Sequence, residues 1–223
     1  MDRNMSLTQQ LTQLNSQTCE KLTAPEMAVL QRASAMLRKS GISERCLQSG
    51  ESTTDFEFSA NGQNQSLTGL LQKGPVLINF FRGYWCGFCK AELEAYNQLA
   101  LQMQKLNMSY LAISPNAAEG HSNLSANSQA DNAYLINDPN NKIAKTFGIV
   151  YEVCANQKEL FSSWGLDLAQ LNQSDKWELP LAATYIISRN GCVEFSYVDT
   201  DFRKRLDPEV VISRMKELTS SNP

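Results

Sequence analysis

The sequence predicts an α/β domain, on three observations. Val76-Leu77-Ile78-Asn79-Phe80-Phe81 is an apolar run broken only by Asn79, the pattern of a strand covered on both faces. Beyond it, Leu93, Tyr96, Asn97, Leu99, Ala100, Met103 and Leu106 recur mostly at three- and four-residue steps, the period of an amphipathic helix. Ser109-Tyr110-Leu111-Ala112-Ile113-Ser114 is then a second strand-like run, ended by Pro115. Strand, helix and strand within this length predict a right-handed βαβ unit with parallel strands.

The remaining elements follow in chain order. Residues 5–40 are expected to be helical, with an apolar stripe of Leu7, Leu11 and Leu14. A restart is expected at Thr23-Ala24-Pro25-Glu26, where Thr23 is a candidate cap, Pro25 is early and Glu26 lies three residues on. Met27, Leu30, Ala33 and Leu37 continue the apolar face until Gly41. These helices are expected to form a packing or dimerisation arm, so residues 1–45 are set apart as an extension from a domain at 46–220. Phe56 and Phe58, followed by Asn61-Gly62, predict a hairpin, and Leu67, Leu70 and Leu71 a short helix before Gly74-Pro75. Residues 117–133 are polar and predict a short helix and loop. Ala133-Tyr134-Leu135-Ile136-Asn137 is a third strand closed by Asp138-Pro139, and Asn141 to Phe147 a short helix stopped by Gly148. Residues 151–179 are irregular, with Phe161, Trp164, Leu168 and Leu171 as apolar anchors of one or two short helices. Two strand-like runs, Thr184–Ser188 and Cys192–Val198, flank Asn190-Gly191, a strong hairpin signal. Pro208 opens a last helix with Val210, Val211, Ile212, Met215 and Leu218 on its apolar positions.

Composition narrows the function classes. The 223 residues carry a formal net charge of −3, which points to neither a nucleic-acid nor a polybasic membrane surface. No apolar run approaches the roughly 20 residues of a membrane helix, and Met1–Ser6 leads into a Gln/Leu pattern, not an apolar signal core. A reducing cytoplasm is the expected compartment. Six irregularly spaced cysteines in a chain of this length do not form a secreted disulfide scaffold.

Only Cys86 and Cys89 have a spacing that carries chemistry. A Cys-x-x-Cys that follows a strand and opens a helix is a thioredoxin-like redox motif. Thiols at a helix N-terminus lie where unpaired N–H groups favour negative charge, so the outer one can become a thiolate. Attack on a peroxide or disulfide leaves a sulfenic acid or mixed disulfide that the second thiol resolves. Arg82 and Lys90 flank the pair and are candidates to stabilise a thiolate. Zinc needs two further ligands, and no second Cys-x-x-Cys or Cys-x-x-His is present, so neither metal nor other cofactor is expected.

The block Phe80-Phe81-Arg82-Gly83-Tyr84-Trp85-Cys86-Gly87-Phe88-Cys89 resembles the Phe-Tyr-Arg-Gly-x-Trp-Cys-Pro-Tyr-Cys of peroxiredoxin-like proteins in the AhpC/TSA group of the thioredoxin superfamily. Further similar stretches follow in order. They are Leu111–Pro115, Asn137-Asp138-Pro139, Phe147-Gly148, Trp177–Pro180 with Thr184–Ile187, Val198-Asp199 and Lys204-Arg205-Leu206. The resemblance implies a thioredoxin-like fold, a central mixed sheet flanked by helices, with peroxiredoxin-type insertions. It implies thiol-dependent reduction of hydrogen peroxide or organic hydroperoxides, with thioredoxin, glutaredoxin or glutathione as reductant. General thiol–disulfide exchange, or a non-enzymatic redox-sensing dimerisation module, are the alternatives.

Two departures from the family pattern bear on the site. The peroxiredoxin pattern Pro-x-x-x-Thr-x-x-Cys, laid on this chain, puts Arg82 at the proline, Cys86 at the threonine and Cys89 at the peroxidatic cysteine. Thioredoxin logic makes Cys86 the nucleophile and Cys89 the resolving thiol, and that assignment is preferred. Second, relatives carry a cis-proline or an arginine two residues before Thr184, where this chain has Ala182. A trans Ala182, or a cis-Pro180 in its place, is expected in this docking loop. Trp85 is expected to shield the thiol and shape a partner surface. Glu92 and Glu94 are expected as surface charges of the helix, with Glu92 also able to relay protons. Cys154 is expected as a buried apolar cysteine or an additional resolving thiol. Cys19, Cys46 and Cys192 are expected to be incidental, Trp164 and Trp177 structural, and Arg189 and His121 solvated.

Overall fold

The computed structural model describes residues 5–60, 62–116 and 130–221. The chain begins with α1 (Leu7–Lys21), α2 (Ala24–Lys39) and the short α3 (Ile42–Arg45). Ser6 and Thr23 each close a capping box, with Gln9 and Glu26 as the third-residue partners. An antiparallel hairpin follows, β1 (Glu57–Ala60) and β2 (Gln63–Ser66), and then α4 (Leu67–Leu71). Asn61 of the expected turn lies outside the described residues; Gly62 supplies a positive φ of 74°.

The centre is β3 (Val76–Phe80). It leads through the Cys-x-x-Cys into α5 (Gly87–Gln98) and α6 (Ala100–Lys105), then β4 (Ser109–Ser114). The single helix expected through Leu106 is thus two, with Leu99 capping the first and opening the second. Next come β5 (Ala133–Asn137), a 3-10 turn at Pro139–Asn141, α7 (Lys142–Thr146) and β6 (Val150–Glu152). Then follow α8 (Ala155–Ser163), α9 (Leu168–Leu171), β7 (Glu178–Pro180), β8 (Ala182–Ile187), β9 (Val193–Asp199) and α10 (Pro208–Ser221). The expectation for residues 117–133 falls almost wholly outside the described residues, as does His121.

The five-stranded sheet has the order β5-β4-β3-β8-β9. β3, β4 and β5 are parallel, and β8 and β9 run antiparallel to their neighbours. The mixed sheet flanked by helices is the thioredoxin-like arrangement. All five residues of β3 are buried, because Val76, Ile78 and Phe80 enter one core with α4, the hairpin and α7, while Leu77 enters the other beneath α5 and α10. That double coverage is the physical reason the strand shows no polar alternation. The irregular region holds its own small core of Val153, Leu160, Phe161, Leu168 and Leu179, to which α2 adds Leu30. Its two-stranded sheet of β6 and β7 carries no periodicity strong enough to be expected.

Candidate active site

β3 delivers the chain to the site and the loop at 81–85 turns it. Phe81 N–H donates to the Ile113 carbonyl at 3.0 Å, and Tyr84 N–H to Asn116 Oδ1 at 3.2 Å. Gly83 has φ 150°, and a Cβ there would lie 2.4 Å from Trp85 Nε1. Glycine therefore lets the indole fold back over the backbone. Cys86 is the N-cap of α5, and its carbonyl accepts from Lys90 N–H at 3.1 Å. Cys89 is the third residue of the helix, one turn inward. All six cysteines carry free thiols.

Both thiols are buried. Cys86 is 5% exposed and Cys89 0%, so the outer position is the more accessible but is nearly closed. The hydrogen bond from Cys89 is the largest influence on Cys86 and brings its pKa down to about 5; burial opposes this, and Arg82 and Arg205 add to it. Cys89 moves the other way, raised by burial and then by the thiolate beside it. The two sulfurs thus share one proton, and Cys89 holds it.

Arg82 lies in an aromatic box, its guanidinium carbon 4.5 Å from the ring centre of Phe202, 4.8 Å from Trp85 and 5.7 Å from Phe161. Aromatic faces hold a cation without quenching its charge. Trp85 and Phe161 meet edge to face at 5.6 Å, as do Phe88 and Phe202. Arg82 Nε and Trp85 Nε1 are buried donors with no hydrogen-bond partner among the described residues. Lys90 is exposed on α5, outside this box.

Beneath Cys89 is a second guanidinium, Arg205, which the sequence placed in a family-like stretch without a role. Arg205 donates from Nη2 to Cys89 Sγ at 3.3 Å and from Nε to Glu92 Oε2 at 2.7 Å. Its Nη1 donates to the carbonyls of Phe202 and Lys204. The expectation of Glu92 as a surface charge is corrected: both ion-pair side chains are 1% exposed. Burial pushes Glu92 up to about 7, against the pull of Arg205. A readable signal existed for Glu92. With Cys89, Leu93 and Tyr96 it falls at steps of three, four and seven, so it sits on the apolar stripe of α5. Its pairing with Arg205 had no such signal, the two being 113 residues apart. Asn79, the polar interruption of β3, faces Thr184 across the β3–β8 register and donates to its hydroxyl at 3.2 Å. Tyr96 donates to the Leu206 carbonyl at 3.1 Å and closes the network.

The loop expected to dock a substrate is covered. Pro180 ends β7, Ala182 opens β8, and both are buried. No peptide bond among the described residues is cis, so Ala182 is trans and the alternative of a cis-Pro180 is not met. A cleft of about 10 Å³ between Arg82, Tyr151, Pro180 and Ala182 on one side and Ser34 and Leu37 of α2 on the other is what remains open there. Cys154 is half-buried as the N-cap of α8, Cys46 is buried with its thiol donating to the Ser43 carbonyl, and Cys192 is half-buried beside its hairpin turn. Trp164, at the end of α8, donates to Glu26 Oε1 of α2 at 3.0 Å.

A mixed five-stranded sheet flanked by helices, with two cysteines at the head of the helix after its central strand, is the arrangement of the thioredoxin superfamily. The model of the AhpC/TSA family matches residues 49–196, and the chain belongs to that family. It is accordingly an oxidoreductase of the thiol peroxidase class. Among solved structures it is similar to peroxidoxin BcpB from Mycobacterium tuberculosis (17% identity, 77% of this chain and 98% of that one, TM-score 0.57). It is also similar to a peroxiredoxin-like protein from Aquifex aeolicus (15%, 77% and 88%, TM-score 0.58). A third is a mutant of peroxiredoxin 6 from Arenicola marina (14%, 79% and 76%, TM-score 0.60). At these identities the likeness is one of fold. Among curated proteins no sequence matches.

Proposed function

We propose that the chain reduces hydrogen peroxide or organic hydroperoxides through Cys86 and Cys89, with Cys86 attacking and Cys89 resolving. The observation that carries this is the unequal pair: Cys86, at the helix N-terminus, with its pKa lowered to about 5 chiefly by the hydrogen bond from Cys89 and further by Arg82, and Cys89 fully buried with its pKa raised. A thiolate is the nucleophile, and of the two thiols it is Cys86 whose pKa is lowered.

The Cys86 thiolate attacks one peroxide oxygen and the O–O bond breaks. The sulfur is oxidised to sulfenic acid, keeping the attacked O–H, and the departing oxygen takes from water the proton that the Cys86 thiol had released, leaving as water or an alcohol. Arg82 Nε and Trp85 Nε1 are the donors available to the developing charge. Cys89 then attacks the sulfenic sulfur, the S–O bond breaks, and water leaves with the Cys89 proton. Arg205 stabilises the Cys89 thiolate as it forms. Two thiol equivalents from thioredoxin, glutaredoxin or glutathione reduce the resulting disulfide, work suited to a reducing compartment such as the cytoplasm. Residues 46–220 carry this chemistry, and residues 1–45 extend it.

Intact-mass analysis with thiol labelling after one equivalent of peroxide tests the proposal. The expected product is a Cys86–Cys89 disulfide, with sulfenic acid trapped on Cys86 in Cys89→Ser and peroxide consumption lost in Cys86→Ser. Trapping on Cys89 in Cys86→Ser with turnover intact would reverse the assignment. Disulfide-substrate reduction that survives without any peroxide consumption would favour the general thiol–disulfide exchange reading.

A further inference from the structure

We infer that α1 is a hinged cap over Cys86, and that Leu11 and Leu14 set the size of the oxidant or reductant that can reach it. The inference rests on the reading of Cys86 as the attacking thiol. Leu11 and Leu14 pack against the cluster that holds Cys86, Phe88 and Cys89. Leu14 Cδ2 comes within 3.8 Å of where a side chain at Gly87 would begin, directly beside the nucleophile. A sulfur at the head of an exposed helix turn would be open to solvent, yet Cys86 is 5% exposed. A hydroperoxide is small enough to pass by side-chain motion. A protein disulfide must lay backbone against the helix end, in the space α1 occupies.

The two arm helices are tied down unequally. α2 buries Leu30 and Ala33 and is held by the Trp164–Glu26 hydrogen bond. α1 buries only Leu7. Its side-chain hydrogen bonds to the domain among the described residues are Thr8 Oγ1 donating to Asp207 and Arg203 Nη1 donating to Asn15 Oδ1, each at 3.3 Å. The helices are joined by Leu22 and Thr23, both extended, with ψ 141° and 159°. A weakly buried segment on a two-residue joint is the kind that opens at low free-energy cost while the core stays folded. Leu14 and Leu11 are therefore specificity residues that act by exclusion, opening only when α1 swings on 22–23.

The test measures modification of the Cys86 peptide, mapped by mass, with iodoacetamide and with a maleimide carrying a large polyethylene glycol chain. Peroxide-driven oxidation is measured in parallel. In the native chain the bulky reagent is expected to lag the small one by far more than it does in urea. In Leu11→Ala/Leu14→Ala the bulky-reagent rate is expected to rise on the order of tenfold, with the iodoacetamide and peroxide rates changed less than about twofold. Asn15→Ala, which breaks a polar tie without touching the apolar contacts, is expected to shift the same ratio in the same direction. Equal size ratios in native and variant chains, or a rise of all three rates together, would overturn the cap. The failure of the parent reading is distinct: peroxide turnover would then survive in Cys86→Ser, whatever the alkylation ratios show.

Discussion

Arg205 is the residue on which the buried charges depend. It faces Glu92 and Cys89 at once, and removing one partner of a buried pair strands the other. Arg205→Met is expected to cost about 3–5 kcal/mol at pH 8, where Glu92 is ionised. It should cost less at pH 5, where Glu92 can hold a proton. Adding Glu92→Gln should restore much of the loss, and urea titrations of the single and double variants at both pH values measure this. A pH-independent loss would mean that packing, not charge, is what Arg205 supplies. Cys86 and Cys89 were legible because strand, loop and helix start are contiguous in the chain. Glu92 was half legible, as a charge on an apolar stripe. The roles of Arg205 and of the aromatic box of Phe161 and Phe202 were not, because segments distant in sequence, α8 and the loop before α10, bring them in.

At the scale of elements, the turn between β3 and α5 is shaped by Gly83. A methyl group there would meet the Trp85 indole at 2.4 Å, on a backbone with φ 150°. Gly83→Ala is expected to displace Trp85 from Arg82 and to destabilise by about 2 kcal/mol or more. The thermal midpoint and the tryptophan emission should shift together. An unchanged emission spectrum would show that the indole does not depend on the glycine. The strand and helix of this unit were legible by period, and so were the capped starts of α1 and α2. The break at Leu99 and the small sheet of β6 and β7 were not. The first lies within one unbroken apolar stripe, and the second rests on pairing between segments about thirty residues apart.

For the molecule as a whole, burial of Glu92 makes stability depend on pH. Its folded-state pKa of about 7 is raised from an ordinary 4.5. The folded state therefore keeps a proton that the unfolded chain releases. This contribution is full below the unfolded value and is lost as pH rises through the folded one. Between those values it amounts to about 3 kcal/mol. Cys86 acts oppositely, its lowered pKa adding stability that is lost as pH falls toward 5. The difference in unfolding free energy between the native chain and Glu92→Gln isolates the first effect. The native chain should lose ground to the variant from pH 4.5 to 7 and hold level above, and a flat difference would sink the account. Among the described residues no helix is long and apolar enough to cross a membrane.

The sequence by itself determined the sheet-forming runs, the helix that carries the Cys-x-x-Cys, and the class of chemistry that two thiols at a helix start can do. These follow from local pattern: periodicity, caps, turn residues and spacing. Only the tertiary structure sets the opposite directions in which the two thiols are pushed, because those depend on the hydrogen bond between them, on burial and on Arg82 and Arg205 converging on the pair. It also decided that Cys86 and Cys89 are nearly closed to solvent. An amphipathic stripe shows that a helix must cover something apolar; only packing shows that α1 lies against α5, with Leu14 beside Gly87.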